Sequence, residues 1–195
     1  MIKLINFTFV CILTVLYNQK IDLENLKFDT TVSEIVKSNK NLVKYQDTYY
    51  GLMSYRTNDL KDFTFGNVLF SKYEFPNGYD TDYNDLYIHV DDYKNNNFLG
   101  FTIEIVNQKE ATKLLQYLKT KYGKPESRIN EGLVWYNNKL KQWILVDQYD
   151  CINRKNEKFI YTKCTVIKQG VRVENSKNSK VFTILDNFSL AHPKK

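Results

Sequence analysis

Apolar residues between positions 109 and 122 recur every three or four places. Ala111, Leu114, Leu115, Leu118 and Tyr122 form one stripe, and the spacing predicts an amphipathic helix. Asn107 suits its N-cap with Glu110 three residues on, Gly123 suits the left-handed position after the last turn, and Pro125 prevents continuation. A shorter helix is predicted over residues 32–38, opened by Thr31 with Glu34 in the capping-box place and Val32, Ile35 and Val36 on one side. Strand-like runs follow each helix: residues 42–56, 65–75, 86–90 and 98–106 after the first, and 129–136, 142–149 and 158–168 after the second. In the fourth of these, Leu99, Phe101, Ile103 and Ile105 are expected on one face, with Gly100, Thr102 and Glu104 on the other. Residues 174–180, rich in Ser, Asn and Lys, read as a loose connection to a last strand at 181–185.

This order predicts an α+β fold, an antiparallel sheet with two helices on one face and the other face partly open. Helix and meander occur twice, which suggests related halves at 26–106 and 107–172 within a single domain spanning 19–195, with a C-terminal strand and tail at 173–195. Identity between the halves is too low to form a sequence repeat.

The first 18 residues change the picture. Met1-Ile2-Lys3 is a minimal basic start, and residues 4–17 are apolar apart from Asn6, Thr8 and Thr14, the shape of a secretory signal too short to span a bilayer comfortably. The expected location is periplasmic or secreted, with membrane contact only through the leader. The usual small-residue cleavage pattern is missing, so cleavage near Gln19, a lipid on Cys11 (with Val10 where a small residue is normal), and a retained anchor or first strand all stay open.

Composition excludes more than it selects. The net charge of +6 is spread among alternating lysines and acids, and no dense basic block precedes Lys194-Lys195, which argues against a nucleic-acid partner. Alanine occurs only at 111 and 191 while Asn, Lys, Tyr, Ile and Phe abound, the bias of AT-rich codons, so the 15 tyrosines partly reflect coding.

One pattern resembles something known. An alternating strand from Phe98, the amphipathic helix ending in Lys121-Tyr122-Gly123-Lys124-Pro125, and a strand carrying Trp135 resemble a pattern in small exported bacterial proteins, mostly uncharacterised. The tandem helix-plus-meander order is similar to that of secreted inhibitors of the β-lactamase-inhibitor type and of small envelope assembly lipoproteins. The resemblance implies a binding sheet and lends no catalytic residue.

Candidate chemistry is sparse. A two-residue turn at Glu157-Lys158 would set Cys151 opposite Cys164, and an exported location permits a disulfide there, worth about 3 kcal/mol; two buried thiols beside Trp143, Leu145, Tyr149 and Val166 are the alternative. Asp80, Asp82 and Asn84 match the first, third and fifth places of a calcium loop, but Asp85 stands where glycine belongs and Asp91 where glutamate is usual. A solvated turn is the simpler expectation, and no cofactor or metal is expected. His89 is read as a surface or half-buried strand residue and His192 as part of the tail. No G-x-S-x-G elbow, P-loop or dinucleotide fingerprint occurs. Tyrosines crowd the first half, and Tyr49, Tyr79, Tyr83 and Tyr87 are the candidate binding surface, since tyrosine offers contact area at little entropic cost. The expected function is non-catalytic binding of a protein in the envelope or outside the cell, of inhibitor, immunity or envelope-interaction type. The alternative is a small envelope hydrolase or carbohydrate-binding module.

Overall fold

The structure is a computed structural model describing residues 20–195; the expected leader, with Cys11, lies outside the described residues. In chain order the elements are β1 (Ile21–Asp22), α1 (Ser33–Ser38), β2 (Val43–Gln46), β3 (Met53–Thr57), β4 (Phe63–Phe65), β5 (Val68–Leu69), β6 (Asp85–Asp91) and β7 (Asn97–Ile105), then α2 (Gln108–Tyr122), β8 (Glu126–Ser127), β9 (Leu133–Asn137), β10 (Gln142–Ile152), β11 (Lys158–Lys168) and α3 (Ile184–Ala191). The fold is α+β. Eight strands form one antiparallel sheet in the order β2-β3-β6-β7-β11-β10-β9-β8, while β1, β4 and β5 make a small separate sheet. Each half runs as a meander in sequence order, and the last strands of the two, β7 and β11, meet at the centre. Among the described residues no helix is long and apolar enough to cross a membrane.

α2 forms for the reasons its sequence states. The Asn107 side chain accepts from the backbone N–H groups of Lys109 and Glu110, and Gly123 takes φ 79° just past the last turn. Ala111, Leu114 and Leu118 are buried against one face of the sheet, beside Phe101, Ile103, Ile105, Ile144, Val146 and Val166. Fully burying a leucine contributes about 1.5–3 kcal/mol, so this stripe holds the helix more firmly than its propensity does. Trp135 Nε1 donates to the Gly123 carbonyl at 2.8 Å, which ties the Gly-Pro turn to β9. Glu110 does not return to its cap; it accepts from Ser71 Oγ at 2.6 Å and Asn84 Nδ2 at 2.8 Å and thereby pins the loop ahead of β6. Val32, Ile35 and Val36 bring α1 to the same apolar cluster.

The face opposite α2 is more covered than the pattern predicts. The expected last strand at 181–185 does not form; the run leads into α3, which starts at Ile184 behind a reciprocal capping box in which Thr183 and Asp186 each bond the other's backbone N–H. Ile184 and Phe188 pack with Leu99, Val134, Leu145, Ile167 and Val171 and roof one end of this second face. The run 42–56 is a hairpin rather than one strand, because the Asp47 carboxylate accepts from the N–H groups of Tyr49 and Tyr50 at 3.2 and 2.8 Å and reverses the chain. The run 65–75 is broken: β4 and β5 pair with each other, and further on Glu74 makes a single antiparallel bridge to Tyr83.

Leu99 parts company with Phe101, Ile103 and Ile105. A bulge shifts the β6–β7 register after His89 and turns Leu99 to the second face. Gly100 makes this possible: its φ is 153°, and a Cβ there would stand 2.2 Å from the Val166 carbonyl oxygen.

The expected disulfide does not form. The β10–β11 turn spans five residues, Asn153 to Glu157, so Cys151 pairs with Phe159 and Cys164 with Val146. The two thiols project from opposite faces of the hairpin, about five residue rises apart, beyond the reach of an S–S bond. Trp143, Leu145 and Tyr149 share the face of Cys151, whereas Val166 shares that of Cys164.

Candidate functional site

Period-two alternation puts a second, polar set of side chains on the sheet face away from α2. Four charged residues stand in consecutive register across its centre: Asp85 on β6, Glu104 on β7, Lys163 on β11 and Asp147 on β10. All four are buried. Tyrosines enclose them, with Tyr45, Tyr83 and Tyr87 at the β2–β6 side, Tyr149 and Tyr161 paired across the β10–β11 hairpin, and Tyr49 and Tyr50 folded over from the β2–β3 turn.

Each end of the row is held by a cation. Arg56 Nε donates to Asp85 Oδ2 at 2.7 Å, and its guanidinium lies 5.0, 5.5 and 5.8 Å from the ring centroids of Tyr45, Tyr87 and Tyr83. The Tyr87 hydroxyl also donates to Asp85 at 3.0 Å. Burial raises the Asp85 pKa more than Arg56 and Tyr87 lower it, and the Asp85 carboxylate raises that of Arg56. At the other end Lys163 Nζ is 3.2 Å from Asp147 Oδ2 and 3.8 Å from the Tyr49 ring centroid. Asp147 also accepts from the Tyr149 hydroxyl, and His192 Nε2 lies 3.5 Å from it.

Glu104, between the two pairs, has no cation of its own among the described residues. Its Oε1, like Asp147 Oδ1, has no hydrogen-bond partner there although Glu104 is only 5 % exposed. Burial pushes its pKa up to about 7, opposed by the Tyr161 hydroxyl and Lys163 and reinforced by Asp85 and Asp47. Tyr161 and Tyr49, both facing Glu104, are in turn pushed above the ordinary phenol range, first by burial and then by that carboxylate.

A neutral polar chain borders the row. His89 is fully buried rather than superficial, its Nδ1 2.8 Å from Ser54 Oγ and its Nε2 2.8 Å from Thr102 Oγ1, which lies 2.9 Å from Thr165 Oγ1. Desolvation holds its imidazole pKa down at about 4. His192 is likewise not loose: its ring stacks on Phe188, and its Nδ1 lies 3.0 Å from the Asn130 carbonyl oxygen.

The structure thus brings Tyr49, Tyr83 and Tyr87 to one face but leaves Tyr79 apart, on the loop before β6, with Arg154 of the β10–β11 turn 5.5 Å from its ring. Tyr87 is almost wholly buried, so its contribution is to Arg56 and Asp85 rather than to solvent. Asp80, Asp82 and Asn84 do not converge. Asp80 pairs with Arg154, Asp82 accepts from the Tyr79 N–H, and the Asn84 carbonyl is used by the Val106 and Asn107 N–H groups. Among the described residues no three His, Cys, Asp or Glu side chains are placed to hold a metal ion.

Sequence reasoning missed Glu104, Lys163, Asp147, Tyr149 and Tyr161. The signal was partial: Ile103 separates Thr102 from Glu104 and Cys164 separates Lys163 from Thr165, but Thr162 and Gln148 stand where apolar residues would mark the core face. Chemically, the arrangement offers a rigid aromatic platform above a locally acidic row. Comparison of the chain with protein-family models, curated protein sequences and solved structures found no match of any of the three kinds.

Proposed function

We propose that this chain is a non-catalytic exported protein, periplasmic or secreted, that binds another protein through its tyrosine face. The observation that supports this reading is the convergence of tyrosines from both halves on one sheet face. Tyr49 and Tyr149 are 46 and 40 % exposed there, above side chains fixed by ion pairs. Such rings supply amphipathic contact area that has little freedom left to lose on binding. Beside them, Asn41, Val43, Tyr45, Arg56 and Tyr83 line a cleft of about 310 Å³ at the open edge of β2.

The test is cross-linked affinity capture from envelope extract of the source cell with residues 19–195 tagged at the C-terminus, in parallel with Tyr49→Ala/Tyr149→Ala. One dominant stoichiometric protein, reduced tenfold or more in the double variant at unchanged Tm, supports the reading. Equal capture by both forms, or none by the parent, overturns it.

A further inference from the structure

We propose that the buried Glu104 carboxyl, beside Tyr49 and Tyr161, is a subsite for one basic side chain, lysine or arginine, of the bound protein. This rests on the protein-binding reading above and gives it a chemistry. The chain carries +6 overall, yet beneath the tyrosines the charge balance is negative: Asp85, Glu104 and Asp147 stand in one buried row with Asp47 close behind, against Arg56 and Lys163 among the described residues. Arg56 and Lys163 are committed to Asp85 and Asp147, at 2.6 and 3.2 Å. Glu104 has no paired cation among the described residues, and its Oε1 has no hydrogen-bond donor there. A buried carboxyl oxygen without a donor is destabilising, and a cation that reached it would remove that cost.

The walls suit a cation as well as the floor does. Lys163 already presents its ammonium to the inner side of Tyr49 and lies 5.7 Å from the Tyr149 centroid, so these rings hold positive charge in the structure itself. The outer sides of both rings face solvent. Tyr49 belongs to the β2–β3 turn, outside the ladders, and its side chain would have to swing aside for a cation to reach Glu104. An ammonium or guanidinium entering there would meet the free Glu104 oxygen and the π-faces of Tyr49 and Tyr149.

The groups that set the Glu104 titration are Asp85 and Tyr87 on β6, Lys163 and Tyr161 on β11, and Asp47 and Tyr49 in the β2–β3 turn; Asp147 and Tyr149 on β10 and Tyr50 in the turn border them. A cation docked at its oxygen stabilises the ionised form and must lower its titration midpoint. The experiment follows the Glu104 side-chain carboxyl by ¹³C NMR across pH in residues 19–195. N-acetyl-argininamide is added in one series, and N-acetyl-glutaminamide with matched sodium chloride in the other. The expected result is a downward shift of about one pH unit with the arginine probe alone. Equal midpoints in the two series overturn the proposal, even where Tyr49→Ala/Tyr149→Ala still abolishes partner capture and the binding reading stands. Glu104→Gln, with its Tm as the folding check, is expected to weaken capture of the partner at least tenfold; unchanged capture also overturns it. A shift with no protein captured by the parent removes the protein partner and leaves a site for a small cation.

Discussion

Glu104 and Lys163 stand directly opposite one another on β7 and β11, at the joint between the two halves of the sheet, yet the lysine ammonium pairs with Asp147 on the next strand. The seam between the halves is therefore ionic on the tyrosine face and apolar on the face toward α2, where Cys164 pairs with Ile103 and Val166 with Phe101.

Breaking this row should be more damaging than deleting it. Lys163→Met strips Asp147 of its nearest cation in a buried setting, and a loss of about 3–5 kcal/mol is expected in urea denaturation. Lys163→Met/Asp147→Asn removes both charges and should recover part of that loss. A double variant no more stable than the single one would show that the pair does not act as a unit.

The pH dependence of stability carries two opposing signatures. Glu104 titrates near 7 in the folded chain against an ordinary 4.5. Between those values the unfolded chain has lost the proton that the folded chain keeps, so this group makes stability fall as pH rises and has no further effect above 7. His89 titrates near 4 when folded against 6.5. The unfolded chain then binds the extra proton, and stability rises with pH from 4 to 6.5. Relative to the parent, Glu104→Gln should steepen the rise between pH 4.5 and 6.5, and His89→Asn should expose the fall to pH 7. Each slope approaches about 1.4 kcal/mol per pH unit. Chemical denaturation at half-unit steps measures both, and parallel parent and variant curves would contradict the assignment.

The bulge at the seam tolerates no side chain. Gly100→Ala places a methyl group 2.2 Å from the Val166 carbonyl oxygen, in backbone that glycine alone adopts readily, and should cost roughly 2–4 kcal/mol or prevent folding. A Tm within a few degrees of the parent would refute the close approach.

The thiols offer a check on the hairpin register. Cys151 is half-buried and Cys164 wholly buried, and burial raises the pKa of both. Residues 19–195 kept free of reductant should show both thiols titratable after denaturation, with Cys164 blocked in the native state and no change in Tm on adding reductant. A bridged pair would require a register that the five-residue turn does not allow.

What could be read from the sequence was what local spacing dictates. α2 with its Asn107 and Gly123 caps, the alternation of β7 from Gly100 onward and the limits of β11 follow from neighbours a few residues apart, whereas the bulge at Leu99 does not. α3 was missed because the short run leading into it, Val181 to Leu185, reads equally well as a strand, and only Thr183 with Asp186 marks the helix. The disulfide expectation failed over turn position, since a turn centred on Lys155 rather than between Glu157 and Lys158 displaces every pairing in the hairpin. The charged row was hidden for a different reason. Asp85, Glu104, Asp147 and Lys163 look like solvated residues one at a time, and only cross-strand register makes them neighbours.

The placement of the two tryptophans gives the molecule its own spectroscopic division of labour. Trp135 and Trp143 both lie in the second half, on adjoining strands, one buried on the side of α2 and hydrogen-bonded to Gly123, the other half-buried against Tyr136 on the opposite side. Indole emission therefore reports on β9 and β10, from both sides of the sheet, while the first half contributes only tyrosine signal. If the β7–β11 joint makes the halves one cooperative unit, indole fluorescence and far-ultraviolet dichroism lose amplitude along the same curve. Should the joint yield first, the two optical records separate, and the order in which they do so names the half that opens.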